Sequence, residues 1–448
     1  MATIHAGIIQ VTILFVLSMI IVPCIAVEPA WTFTDGEREL NGVAVAPDGS
    51  SVVVGTGKVV LLAKNGTLLA NEPFGEIIAQ SGDGSTIVSA YSSSVASTVY
   101  LFKKNKDASG HLFLQKIWEN TLPDLISSIA ISDKGDYIAL SAVNKGITVY
   151  NGKTGKRLGY SDKYASRIAI SARGLTIAGI SPSQGLRVYN PQGMSTKKYD
   201  ITLAGQPNNL LMDASGDKVV FNSGPQIIAF NLSDGSEYWK TRSSGDINKL
   251  AMTPTGSNIV AGIENGAIEF YDAEGNLKWT YSNTGTGTRK AIRSVALTRD
   301  GSKIIAGSVD GKVILLDSDG NLTWMYDTAK DPVRLVAIAA DGSLAVASTE
   351  NTLYAFSTES RGTQPNRKTT STKIPTVTSE DSSVTSPEIR STPGVSISTQ
   401  QKNIMETPTV TITEYSVIRK ATQSPLGEMG CITALIILVF HIAGNNRR

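Results

Sequence analysis

The stretch Ser294–Tyr326 reads SVALTRDGSKIIAGSVDGKVILLDSDGNLTWMY, and its pattern decides the fold. Three apolar runs stand in it: Val295-Ala296-Leu297, Ile304-Ile305-Ala306 and Val313-Ile314-Leu315-Leu316. Asp300-Gly301, Asp310-Gly311 and Asp319-Gly320 follow them in turn, and a fourth run, Leu322 to Tyr326, closes the unit. Short β-branched runs between Asp-Gly turns are strands of an antiparallel meander. Four strands alone cannot bury both faces, so the unit must stack on copies of itself.

The copies are visible. The first run has relatives at Val43-Ala44-Val45, Ile77-Ile78-Ala79, Ile129-Ala130-Ile131, Ile168-Ala169-Ile170, Leu210-Leu211-Met212, Leu250-Ala251-Met252 and Val336-Ala337-Ile338. A turn glycine follows each: Gly49, Gly84, Gly135, Gly174, Gly216, Gly256, Gly301 and Gly342, spaced by 35, 51, 39, 42, 40, 45 and 41 residues. Four strands repeating every roughly 40–45 residues is the pattern of a β-propeller. The expectation is an all-β, eight-bladed ring of four-stranded antiparallel blades, with seven blades as the alternative.

Aromatic residues give an independent check. Gly216 to Trp239, Gly256 to Trp279 and Gly301 to Trp324 are each 23 residues apart. Trp118 takes the same part in the longer second copy, and Tyr160 and Tyr199 are the stand-ins in the third and fourth. A large ring at one register suits a wedge between neighbouring blades. The eighth copy has no such residue, whereas Trp31, in Ala30-Trp31-Thr32-Phe33, belongs to no copy. The N-terminal strand is therefore expected to complete the last blade beside the segment around Leu353, leaving no open edge.

Val295-Ala296-Leu297-Thr298-Arg299-Asp300-Gly301 resembles the WD40 repeat pattern, though the Trp-Asp dipeptide is missing. Asp272 to Trp279, read as Asp-x-x-Gly-x-x-x-Trp, resembles the tryptophan motif of quinoprotein-type propellers. The resemblance covers roughly residues 30–358 and implies fold rather than activity. Quinoprotein enzymes imply vicinal cysteines and an Asp base beside Ca²⁺. This body, residues 27–358, contains no cysteine, so the resemblance carries no catalytic residues across.

The rest of the composition bounds location. The chain has 448 residues and a formal net charge of +2, which favours no nucleic-acid partner. Its two cysteines, Cys24 and Cys431, both lie in terminal apolar segments, which leaves no disulfide or thiolate metal site for the body. Ile8 to Val22 is apolar, and Cys24 and Ala26 suit signal-peptide cleavage after Ala26, with an uncleaved anchor as the alternative. Residues 359–424 are nearly half Ser, Thr and Pro, as in a disordered, O-glycosylated stalk. Residues 425–448 hold a short apolar run, Met429 to Gly444, followed by Arg447-Arg448. That order predicts a C-terminal membrane segment with the propeller outside the cell. Pro425-Leu426-Gly427, the apolar run and the arginines together resemble the tripartite sorting signals of archaeal surface proteins.

Chemistry is sparse. The single histidine of the body, His111, reads as a loop imidazole. Asp317-Ser318-Asp319-Gly320-Asn321 and Asp272-Ala273-Glu274-Gly275-Asn276 offer oxygens at calcium-loop spacing but read as hairpin turns. No cofactor and no metal are expected. Three glycosylation sequons, at Asn65, Asn231 and Asn321, all fall between third and fourth strands, hence on one rim. The opposite rim is then the candidate binding face, with Arg289, Lys290, Arg293, Lys145, Glu264 and Asp310. The sequence points to a cell-surface module that binds an extracellular protein or glycan. The alternative is an extracytoplasmic quinoprotein-like or carbohydrate-active enzyme working in the central funnel.

Overall fold

The computed structural model describes residues 27–36, 38–73, 75–93, 96–192, 195–203, 205–283, 290–358 and the backbone of 370–373. These residues form eight sheets in strand order first-second-third-fourth, each an antiparallel meander. The first blade comprises Gly42–Val45, Ser51–Gly55, Lys58–Ala63 and Leu68–Pro73, and the seventh Ile292–Leu297, Lys303–Ser308, Lys312–Asp317 and Leu322–Asp327. First strands of neighbouring blades adjoin one another all the way round, including Gly42–Val45 of blade 1 against Leu335–Ile338 of blade 8. The ring is closed and has eight blades.

Closure happens in blade 8. Its first three strands are Leu335–Ile338, Ala345–Ser348 and Thr352–Phe356, and its fourth is Trp31–Thr34, in register Trp31↔Ala355 and Phe33↔Leu353. The strand Thr370–Lys373, from within the Ser/Thr/Pro-rich stretch, runs parallel along the outer edge of Trp31–Thr34. An otherwise open edge thus gains a fifth strand at this blade alone among the described residues.

The core lies between blades. Second and third strands are buried on both faces, as in Ile304, Ile305, Ala306, Ile314, Leu315 and Leu316, each 0% exposed. Ile268 and Phe270 of blade 6 pack with Ile292, Val295 and Ile304 of blade 7. Across the seam, Trp31, Phe33 and Leu353 pack with Val52, Val54, Val60 and Leu62 of blade 1. The anchor glycines all take the left-handed conformation, Gly301 at φ 74° and Gly216 at φ 86° among them. A side chain there would be strained, which is why the turn residue is glycine.

The aromatic wedge has a definite geometry. Trp239 pairs with Ala229 just before a one-residue bulge, and Trp279 and Trp324 sit at the same register against Phe270 and Leu315. Where the next blade has a third-to-fourth hairpin, the indole lies over the glycine of that turn, Trp239 over Gly275 and Trp279 over Gly320. Its Nε1 donates to a carbonyl of that turn: Trp118 to Gly152 at 2.9 Å, Trp239 to Ala273 at 2.7 Å, Trp279 to Ser318 at 2.8 Å and Trp31 to Lys64 at 2.8 Å. Tyr199 fills the role from two residues further along its strand, its hydroxyl donating to Leu232 O at 2.7 Å. Tyr160 does not. The bulge places Gly159 at the wedge register, opposite Val149, and the one-residue offset turns Tyr160 to the solvent face.

Candidate binding faces of the ring

A meander puts first-to-second and third-to-fourth turns on one rim, and second-to-third turns and inter-blade loops on the other. On the first rim, the first-to-second turns close over the funnel. Neighbouring turns are joined by backbone hydrogen bonds: Asp83 N to Asp133 O, Asp133 N to Ala172 O, Ala172 N to Ala214 O, Ala214 N to Pro254 O, Arg299 N to Ala340 O and Asp341 N to Pro47 O, at 2.7–3.1 Å. The two junctions without such a bond among the described residues are those where Pro47 and Pro254 occupy the donor position and have no N–H.

The funnel beneath this girdle is a cavity of about 530 Å³. Its walls are mostly aliphatic, with Val43, Val45, Ile170, Leu211, Leu297 and Ile338 among them, and no aromatic ring lines it. Two acids line it, Asp133 of blade 3 and Asp213 of blade 5. Asp213 is taken up by its own turn, Oδ1 accepting from the N–H groups of Gly216, Asp217 and Lys218 and Oδ2 from Ser215 Oγ. Among the described residues no three His, Cys, Asp or Glu side chains are grouped to hold a metal ion.

The two acidic hairpins are built as turns. Asp317 Oδ1 accepts from the N–H groups of Asp319 and Asn321, and Oδ2 from Asn321 Nδ2. Burial pushes this carboxyl up, but the Asn321 side chain and the backbone N–H groups outweigh it and hold the pKa below the usual range. Asp272 repeats the arrangement with Glu274 and Asn276. His111 caps the long hairpin of blade 2, exposed, with Nδ1 3.5 Å from Asp107.

The three sequon asparagines do share one rim. Asn65 and Asn321 are exposed and Asn231 is half-buried. Asn65 and Asn231 each accept the N–H two residues on, and Asn321 donates its Nδ2 to Asp317 Oδ2, all within third-to-fourth turns.

Five of the six candidate binding residues fall on the opposite rim, but not as one cluster. Arg289 lies outside the described residues. Lys290 packs beside Gly266, and Arg293 is exposed. Glu264 Oε2 accepts from Asn248 Nδ2 at 2.8 Å, and Asp310 accepts both from Asn283 Nδ2 and from Ser308 Oγ, so these two acids brace loops. Lys145 belongs to blade 3, four blades from Asp310 and therefore across the ring.

Two features of this rim escape a first reading of the sequence. Leu125 and Val143, 39% and 44% exposed, stand side by side because Val143 N–H donates to Leu125 O at 3.0 Å. The loop is pinned below them by Asp124, whose carboxylate accepts from Leu125 N, Asn144 N and Asn144 Nδ2. The second feature is charge. The residues one or two positions before the anchor runs are Arg167, Lys249, Arg293 and Arg334 in blades 4, 6, 7 and 8. Laying the repeats over one another exposes that alignment.

A closed ring of meanders with Trp-on-Gly junctions defines a β-propeller repeat protein. The particular relatives are as follows. The family model of the outer membrane protein assembly factor BamB matches residues 202–408. No curated protein matches the sequence. Among solved structures, Sqt1 of Chaetomium thermophilum, bound to the N-terminus of the ribosomal protein L10, is similar at TM-score 0.62 and 16% identity, covering 74% of this chain and 100% of that one. The computationally designed protein Ika8 is similar at TM-score 0.60 and 14% identity, covering 74% and 99%. The C-terminal WD40 domain of Sif2 is similar at TM-score 0.60 and 15% identity, covering 74% and 98%. Likeness at such identity concerns the fold.

Proposed function

We propose that this chain is a propeller held outside the cell by its C-terminal segment, and that its inter-blade rim binds a protein partner. The observation that carries the reading is the Leu125–Val143 pair. Two large aliphatic side chains are held in water by a loop that is itself rigidly hydrogen-bonded, which suits a preformed contact point. The sequons on the other rim add to it, because glycans at Asn65, Asn231 and Asn321 would leave the inter-blade rim uncovered. The membrane tether rests on the sequence at 1–26 and 425–448, which lies outside the described residues. A glycan ligand has less support, since the rim offers no aromatic platform on which a sugar would stack among the candidate residues. The funnel alternative is disfavoured by the aliphatic lining and by the self-saturated Asp213.

The match to the BamB model favours one specific version, a scaffold that gathers envelope proteins. Sqt1 illustrates a propeller of this shape that is bound to a protein N-terminus.

A photo-crosslinking residue placed at Val143 in the full chain, in intact cells, should yield a heavier covalent species. The same residue at Leu175, exposed on the opposite rim, should not. A heavier species from Leu175 alone would contradict the assignment of the face. Protease added to intact cells should degrade the propeller, and protection of the propeller would contradict its outside location.

A further inference from the structure

First strands line the central channel, so residues just ahead of the anchor runs ring its mouth on the inter-blade rim. Around that mouth the eight positions immediately before the anchors are Gly42, Glu76, Ser128, Arg167, Asn209, Lys249, Ser294 and Leu335. One step earlier stand Arg293 and Arg334. Cations therefore enter from four of five successive blades, against Glu76 on the far side.

Their partners are few. Arg334 pairs with Glu39 at 3.3 Å. Arg167 spends Nε on Asn208 O at 2.8 Å and a terminal nitrogen on Ser166 O at 2.7 Å, both neutral carbonyls. Lys249 and Arg293 have no ion pair among the described residues. The loop 284–289 that precedes Arg293 reads TGTGTR and contains no acid. Arg293 is the bulged residue between Ile292 and Ser294, so its side chain leaves the ladder spacing of the strand. Lys249 follows the same bulge in blade 6. Lys249 is exposed, and desolvation within the ring, then the charge of Arg167, push its ammonium below the usual pKa. Arg167 stands two blades away on the same rim.

Arg167 and Lys249 repel each other, and neither Lys249 nor Arg293 has an ion pair among the described residues, so an anion at the mouth would be favoured. With Arg334, these cations come from four separate blades of the ring. A chain carrying several carboxylates can meet them in turn.

We propose that the channel mouth receives an acidic peptide segment of the partner, held by Arg167, Lys249 and Arg293. This rests on the inter-blade rim being the binding face. Fluorescein-labelled hexaglutamate is the probe, titrated into the detergent-solubilised full chain and followed by anisotropy. The wild type should bind it, with affinity falling as salt rises. Lys249→Glu/Arg293→Glu should weaken binding by about tenfold or more, while Lys249→Arg/Arg293→Lys and Lys134→Glu, at an exposed lysine on the other rim, should leave it within about twofold. Labelled hexalysine should not bind. Absence of hexaglutamate binding by the wild type, or equal binding by the charge-reversed variant, overturns the proposal. So does binding of tripolyphosphate as tight as that of hexaglutamate, which would make this a small-anion site. Crosslinking at Val143 reads the rim separately: if it persists while hexaglutamate fails to bind, the acidic-segment inference falls and the binding face stands.

Discussion

The junction between blades 6 and 7 and the junction between blades 7 and 8 use the same indole in the same register, yet only the first is complete. Trp279 donates to Ser318 O and lies over Gly320. Trp324 is 3% exposed, packs on Phe356 with ring centroids 5.0 Å apart, and its Nε1 has no acceptor among the described residues. The difference comes from the seam. In blade 7 a hairpin joins third and fourth strands and presents carbonyls to the incoming indole. In blade 8 those strands come from opposite ends of the chain, and no hairpin exists. A neighbouring lysine shows what replaces it. Lys218 reaches Gly256 O and Ala273 O in the next blade, and its counterpart Lys303 reaches Gly342 O and Thr358 Oγ1. Thr358 supplies the oxygen for the lysine but not for the tryptophan. On its other side the seam is whole, since Trp31 docks on Lys64 O and Gly66 of blade 1 as any blade's tryptophan does. Closure by a terminal strand thus preserves packing at both junctions and costs one hydrogen bond at one of them.

The largest effect should come from Trp31→Ala, which empties the wedge of the closing strand. A loss of about 3–5 kcal/mol is expected for such a truncation, read by chemical denaturation. A loss below about 1 kcal/mol would mean that the strand is not part of the cooperative ring.

Next comes Gly320→Ala. Gly320 has φ 82°, and an added Cβ would meet the Trp279 ring at 2.7 Å. Strain and clash together should cost about 2–3 kcal/mol. Gly36→Ala, at φ 62° with nothing within 4 Å of the new carbon, isolates the backbone part at about 1 kcal/mol. Equal losses at the two sites would remove the Trp-on-Gly contact from the explanation.

Replacing tryptophan by benzothienylalanine keeps the shape and removes the N–H. At Trp239 this should destabilise by about 1 kcal/mol, because Ala273 O loses its donor. At Trp324 it should be neutral or stabilising, because an unsatisfied donor leaves the core. The sign of the difference tests the seam directly.

The smallest effect concerns acid. Hydrogen bonds from Thr298 Oγ1 and from Ser302, backbone and side chain, hold the Asp300 carboxyl down to about 2 against a modest opposing effect of burial. Its folded pKa lies below the unfolded value of about 3.9, so the stabilisation is fully present above that value and is lost as pH falls toward about 2. Asp300→Asn should lower the melting temperature at pH 7 and nearly match the wild type at pH 2. A gap that stayed constant would assign the effect to shape alone.

The ring itself was legible from residues. Apolar triplets with a glycine four or five positions after their last residue marked all eight blades, and the unassigned Trp31 marked the closing strand. Tyr160 was misplaced because a bulge between Val149 and Tyr150 shifts the fourth strand by one residue, and no residue type signals that bulge. The girdle of turn-to-turn bonds was illegible for a different reason. It is made by backbone groups, and only its gaps, at Pro47 and Pro254, have a residue signature. The inter-blade rim was half legible. Strand counting placed Lys145, Lys290, Arg293, Glu264 and Asp310 on it, but chain order does not show that Lys145 stands across the ring from Asp310. The mouth cations Arg167, Lys249 and Arg334 were in view in two adjacent columns of the repeat alignment. Leu125 and Val143 were hidden, since exposed aliphatic side chains look like core residues in a string.

The central claim is that residues 31–34 are a structural strand of blade 8. Amide hydrogen exchange on the full chain measures this. Trp31–Thr34 should exchange as slowly as the fourth strand of blade 7, Leu322–Asp327, and together with Thr352–Phe356. Fast exchange at 31–34 beside slow exchange at 352–356 would contradict the closed ring.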